Sequence, residues 1–72
     1  MKLCNCLKEI RLQKNFTQEA LSTAVGVTRQ TIIAIEKGKF GPSVRLALQL
    51  ASTLDVPLEE MFWLEDDKGE ES

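Results

Sequence analysis

An all-α domain of five short helices is the fold this sequence predicts, with a helix-turn-helix formed by the second and third. Three observations predict it. Apolar residues recur at spacings of three and four along successive segments, as one buried helical face requires. Thr17, Thr28 and Ser43 stand where a side-chain oxygen can accept a bond from an orphan N–H at a helix start. Gly26 and Gly38 stand where two of those segments must stop, a place suited to a residue that reaches the left-handed conformation without steric cost.

In order, Met1 to Cys4 form an N-terminal extension of unassigned structure. Asn5 caps a first helix that runs to about Lys14 with Leu7 and Ile10 inward. Asn15 and Phe16 connect to the second helix, and Phe16 fills the core at the corner. Behind Thr17, the positions Ala20, Leu21, Ala24 and Val25 form the buried face of helix two, which ends at Gly26. Thr28 caps the third helix, which runs from Arg29 to Lys37 and stops at Gly38. Lys39, Phe40, Gly41 and Pro42 make a loop with turn chemistry. Ser43 caps a fourth helix whose inward positions are Leu46, Ala47, Leu50, Ala51 and Leu54. Asp55 and Val56 break it, and Pro57 suits the first turn of a fifth helix carrying Leu58, Met61 and Phe62. No strand and no internal repeat is predicted.

Helices two and three, joined by a short glycine-containing turn, make the arrangement that carries one helix across a DNA backbone and lays the next in the major groove. Helix three supports that reading. At about 100° per residue, Ile32 and Ile35 fall on one side with Thr28 and Thr31, while Arg29, Gln30, Ile33, Ala34 and Lys37 fall on the other. Arg bonds bidentately to guanine and Gln to adenine, and both reach base edges best from a helix's first turn. Arg29, Gln30, Ile33 and Ala34 are therefore the candidate base-reading residues, Ile33 through a thymine methyl.

Residues 7 to 64 resemble the DNA-binding domain of the phage-repressor and Cro-type helix-turn-helix family, the Xre-like regulators of bacteria, archaea and their phages. The resemblance rests on LKEIRLQKNFTQEALSTAVGVTRQTIIAIEKGK followed by GPSVRLALQLASTLDVPLEEMF. Its specific parts are Thr17-Gln18-Glu19 opening the second helix, Gly26 in the turn, Ile32 and Ile35, and the run Glu36 to Lys39. Two positions depart from the pattern: Ser22 stands where alanine usually packs against the turn, and Gly41 where asparagine commonly precedes the proline.

The resemblance implies a compact five-helix domain of lambda-repressor-like fold, acting as a sequence-specific DNA-binding transcriptional regulator. It implies that Arg11 pairs with Glu36 and fixes the angle between the first and third helices. Phosphate contacts then fall to Gln18 at the N-terminus of helix two, and to Thr28, Lys37 and Lys39 flanking helix three. Arg45 is a weaker member of that set.

Seventy-two residues allow one small domain, read as residues 1–64 with a flexible acidic tail at 65–72. The net charge of −2 is unevenly placed. Eight Lys or Arg against six Asp or Glu leave residues 1–64 at +2, and one Lys against five acids puts residues 65–72 at −4. The local field of one face, not the total, governs attraction to nucleic acid.

The chain contains no histidine, no nucleophile–base spacing and no glycine-rich phosphate loop, so no catalysis is predicted. Cys4 and Cys6 are too few for a tetrahedral metal site within one chain and are read as free thiols, with a redox switch or a metal shared between two chains as alternatives. No cofactor, metal or small-molecule effector domain is expected. No apolar run approaches the ~20 residues that cross a bilayer and no signal peptide is evident, so a cytoplasmic protein is expected.

One helix reads too few base pairs to single out a genomic site, so a homodimer on a two-fold operator is expected. Phe62, Trp63 and Leu64 cannot all face inward from one short helix. With Phe62 in the core, Trp63 and Leu64 are the candidate dimer interface. Two alternative functions remain open: an antitoxin that binds DNA and a toxin, and an interaction module whose helix-turn-helix contacts protein.

Overall fold

A computed structural model describes residues 1–66. Five helices, α1 (Leu7–Gln13), α2 (Gln18–Val25), α3 (Arg29–Glu36), α4 (Val44–Leu54) and α5 (Leu58–Met61), carry the chain. Strands β1 (Lys2–Asn5) and β2 (Phe62–Glu65) join its two ends in an antiparallel ribbon.

Capping chemistry sets the helix limits. Thr17 Oγ1 accepts from Ala20 N–H at 2.9 Å, Thr28 Oγ1 from Thr31 N–H at 3.3 Å, and Ser43 Oγ from Leu46 N–H at 3.1 Å. Four helices close by one device. Asn15, Gly26, Gly38 and Asp55 take left-handed φ values of 64°, 76°, 75° and 58°. The next N–H then reaches back to a carbonyl near the helix end: Phe16 to Arg11, Val27 to Ser22, Lys39 to Ala34 and Val56 to Ala51. Asn and Asp are the non-glycine residues best suited to that conformation, so all four ends obey one local rule.

The core is a single cluster. Leu7, Leu21, Ile32, Ile35, Leu50 and Met61 are fully buried at its centre, and Phe16 and Ala47 pack against it half-buried. Helix α2 packs against both α3 and α4, which makes it the platform on which α3 rests. Among the described residues, every buried side-chain nitrogen and oxygen has a hydrogen-bond partner, and no helix is long and apolar enough to cross a membrane.

Several details depart from the sequence reading. The unassigned extension is β1, and Phe62 belongs to β2, not to the last helix: Lys2 pairs with Glu65, Leu3 with Leu64, Cys4 with Trp63 and Asn5 with Phe62. A four-residue strand whose partner lies about 60 positions away leaves no local trace, because its hydrogen bonds are supplied from the other end of the chain. The buried face of α2 is Leu21, Ser22 and Val25, while Ala20 and Ala24 are exposed. Alanine carries little apolar area, so its spacing is a poor guide to burial. Ser22, the departure from alanine, is accommodated by donating its hydroxyl to the Glu19 carbonyl at 2.8 Å.

Cys6 holds the N-cap position of α1, but Asn5 Oδ1 still accepts from Leu7 N–H at 3.0 Å. Helix α3 ends at Glu36 with Lys37 as its cap, and Pro57 sits one residue ahead of α5. The acidic stretch from 65 begins inside β2, and residues 67–72, the rest of the expected tail, lie outside the described residues.

Candidate nucleic-acid interface

The two ends of α3 are built differently. At the N-terminal end the Thr28 cap fixes the first turn, and its hydroxyl lies 3.1 Å from that of Thr31. Arg29 and Gln30 are exposed there, and the first turn contains no acid that would repel a phosphate backbone. Ile33 and Ala34, one turn further on, are half-buried between this open surface and the core face of Ile32 and Ile35. A donor pair with room to move, backed by small or apolar groups, suits contact with base edges and thymine methyls.

At the other end, Arg11 Nε donates to Glu36 Oε2 at 2.6 Å, and Arg11 Nη2 to Glu36 Oε1 at 3.4 Å. Both side chains are over nine-tenths buried. The third Arg11 donor, Nη1, reaches the Phe16 carbonyl at 2.9 Å, and Gln18 Nε2 donates to Glu36 Oε1 at 3.1 Å. One buried carboxylate thus ties α1 and the start of α2 to the end of α3. Desolvating an ion pair is costly, and geometry of this quality with extra hydrogen bonds is what offsets it. One residue earlier on α3, the Ile35 carbonyl accepts from Asn5 Nδ2 at 3.0 Å.

Gln18 therefore has its side-chain amide on Glu36 and is half-buried, while its residue still opens α2, where orphan N–H groups gather. Thr28, Lys37 and Lys39 are all exposed. Thr28 and Lys37 bracket α3 at opposite ends, about 13 Å apart along the axis at 1.5 Å per residue. With Glu36 neutralised by Arg11, Lys37 and Lys39 leave that end of the helix positive. Arg45, on α4, lines one open cleft together with Val25, Gly26 and Val27 of the turn. The Asn5 and Gln18 bonds had no sequence signal of their own, since each depends on elements brought together only by folding.

Trp63 and Leu64 sit on β2, so strand alternation, and not the turn of a helix, sets their directions. Phe62 is buried, and Leu64 on the same side of the strand runs beyond the core, 60% exposed beside its cross-strand partner Leu3. Trp63 points the other way, 37% exposed, with its indole N–H donating to Glu65 Oε2 at 3.0 Å. That bond, with a second from Cys4 and the nearby Lys2, lowers the Glu65 pKa.

Cys4 and Cys6 are half-buried thiols, not a disulfide. Cys6 donates to the Glu60 carbonyl at 3.2 Å, and burial, with Glu9 and Glu60 nearby, pushes its pKa above the ordinary thiol value. Among the described residues no group of three His, Cys, Asp or Glu gathers as a metal site.

Comparison with known proteins places this geometry in context. Residues 7–61 match the family model described as helix-turn-helix. An HTH-type transcriptional regulator of Methanocaldococcus jannaschii, MJ0272, is 52% identical over 64 residues, covering 89% of this chain and 97% of the relative. YgzD, an HTH-type transcriptional regulator of Bacillus subtilis, is 46% identical over 63 residues, covering 88% and 96%. Among solved structures, the restriction-modification controller protein C.AhdI from Aeromonas hydrophila superposes with a TM-score of 0.70 at 33% identity, covering 75% of this chain and 82% of that one.

Proposed function

The chain belongs to the phage-repressor and Cro-type, Xre-like helix-turn-helix family, and on that premise we propose that it is a sequence-specific DNA-binding transcriptional regulator. The observation that carries the reading is the asymmetry of α3. Its first turn offers Arg29 and Gln30 to solvent, while its far end is fastened by Arg11, Gln18 and Asn5. Helix α3 lies in the major groove, where Arg29 and Gln30 bond to base edges and Ile33 and Ala34 give apolar contact. The N-terminus of α2 at Gln18, together with Thr28, Lys37 and Lys39, holds the phosphates, and the protein acts in the cytoplasm.

The regulator works as a homodimer on a two-fold operator, through the terminal ribbon, which exposes Trp63 on one face and Leu64 on the other. The exposed indole and the Leu3–Leu64 pair support that assignment, since tryptophan is a favoured interface anchor. In this arrangement the paired recognition helices stand roughly 34 Å apart, one turn of DNA.

Selection of bound sequences from a random duplex pool tests the function. A recovered consensus with two-fold symmetry is the expected result. A pool that stays random through successive rounds would overturn the reading. Trp63→Ala should lower self-association in sedimentation equilibrium and weaken binding to the selected duplex. A wild-type chain that stays monomeric at high concentration, with and without DNA, would remove the dimer.

A further inference from the structure

Asn5 occupies an unusual junction. Its backbone pairs with Phe62 in the ribbon, its Oδ1 accepts from Leu7 N–H at the start of α1, and its Nδ2 donates to the Ile35 carbonyl near the end of α3. That carbonyl already accepts from Gly38 N–H at 3.0 Å. The Asn5 bond is therefore not what satisfies a buried carbonyl, whose two lone pairs admit both donors. What the bond adds is position: it joins the ribbon and α1 to the recognition helix at the end opposite its reading turn.

We propose that Asn5 is a positioning residue for DNA binding, setting the angle at which α3 presents Arg29 and Gln30. The inference rests on the reading of α3 as the helix that enters the major groove. Ile35 lies six steps along the helix from Arg29, about 9 Å along the axis at 1.5 Å per residue. A swing of about 10° around the fastened end moves the reading turn by about 1.5 Å, three times the spread of good N–H···O distances. The Glu36 network restrains the same end from the α1 and α2 side. Asn5 approaches from the ribbon, so the two restraints together fix a direction that one alone leaves open.

The test compares the wild type with Asn5→Asp and Asn5→Ser on two duplexes, the one recovered by selection and a scrambled version. Asn5→Asp keeps an acceptor for Leu7 N–H and removes the donor to Ile35. Its added charge acts on both duplexes alike and cancels in the ratio of their affinities. Asn5→Ser, whose hydroxyl is too short to reach Ile35, removes the same tie without adding charge and takes over if Asn5→Asp does not fold. At a temperature where urea titration shows the chains folded, the affinity ratio should fall about tenfold, within the range of one lost bidentate base contact. A residue that only contributes to stability would leave that ratio where it is. Folded variants whose ratio stays within about twofold of wild type, itself only a few tenths of a kcal/mol, would overturn the role of Asn5 while the DNA reading stands. A wild type that shows no preference between the duplexes would overturn the DNA reading itself.

Discussion

The two ends of α3 hold the same backbone conformation by opposite means. The N-terminal end relies on one side-chain cap, Thr28, and leaves Arg29 and Gln30 exposed. The C-terminal end is surrounded: Glu36 meets Arg11 and Gln18, and the Ile35 carbonyl meets Asn5. By this division of labour a domain this small can present a precise surface. The buried ties are concentrated away from the first turn of α3, so that turn can remain exposed without destabilising the fold.

Substitutions in the buried ion pair at the fastened end should therefore be felt most in stability, and those at the exposed Arg29 and Gln30 in binding. The largest effect belongs to the ion pair. Arg11→Ala or Glu36→Ala leaves a buried charge without its partner and should cost about 3–5 kcal/mol in urea unfolding. The double variant should cost clearly less than the sum, because the two residues belong to one network. Strict additivity would mean that the pair is not the restraint described.

Gly26→Ala probes the turn between the helices. An added Cβ meets nothing within 4 Å, so the cost comes from its φ of +76° alone, about 1–2 kcal/mol. Thr28→Ala tests the open end and should cost about 1 kcal/mol, the ordinary worth of a cap. A loss at Thr28 as large as that at Glu36 would erase the contrast between the two ends.

Lys39→Ala should leave stability unchanged and weaken binding to all duplexes alike. It should flatten the slope of log affinity against log salt by about 0.9 if it neutralises one phosphate. The smallest effect is chemical. With its pKa raised by burial and by Glu9 and Glu60, Cys6 keeps its proton and should react with iodoacetamide at neutral pH more slowly in the folded chain than in urea. Equal rates in both states would contradict its placement.

The same contrast explains what was legible in the sequence. Thr17, Thr28 and Ser43 as caps, and Gly26 and Gly38 as stops, act within four or five residues of themselves, so the helices could be read directly. Arg29 and Gln30 were legible because their exposure follows from helix angle once Ile32 and Ile35 are inside. The ribbon was not legible. Its two strands are short, neither alternates sharply, and each is stabilised by the other across nearly the whole chain. For the same reason the tie from Asn5 to Ile35 leaves no local trace, and the place of Gln18 at a helix start points to phosphate without revealing that its amide also meets Glu36. Ala20 and Ala24 show the reverse failure, a helical spacing with too little apolar area to decide which side is buried.

In the proposed function the first turn of α3 reads bases, and the buried ties at its far end hold the helix in place. Base preference, determined position by position from a random duplex pool for the wild type, Arg29→Ala and Gln30→Ala, tests it most directly. Each substitution should erase preference at its own base pair, a loss of about 1–3 kcal/mol there, and leave the remaining positions and the urea midpoint unchanged. Profiles identical to the wild type in both variants would contradict it.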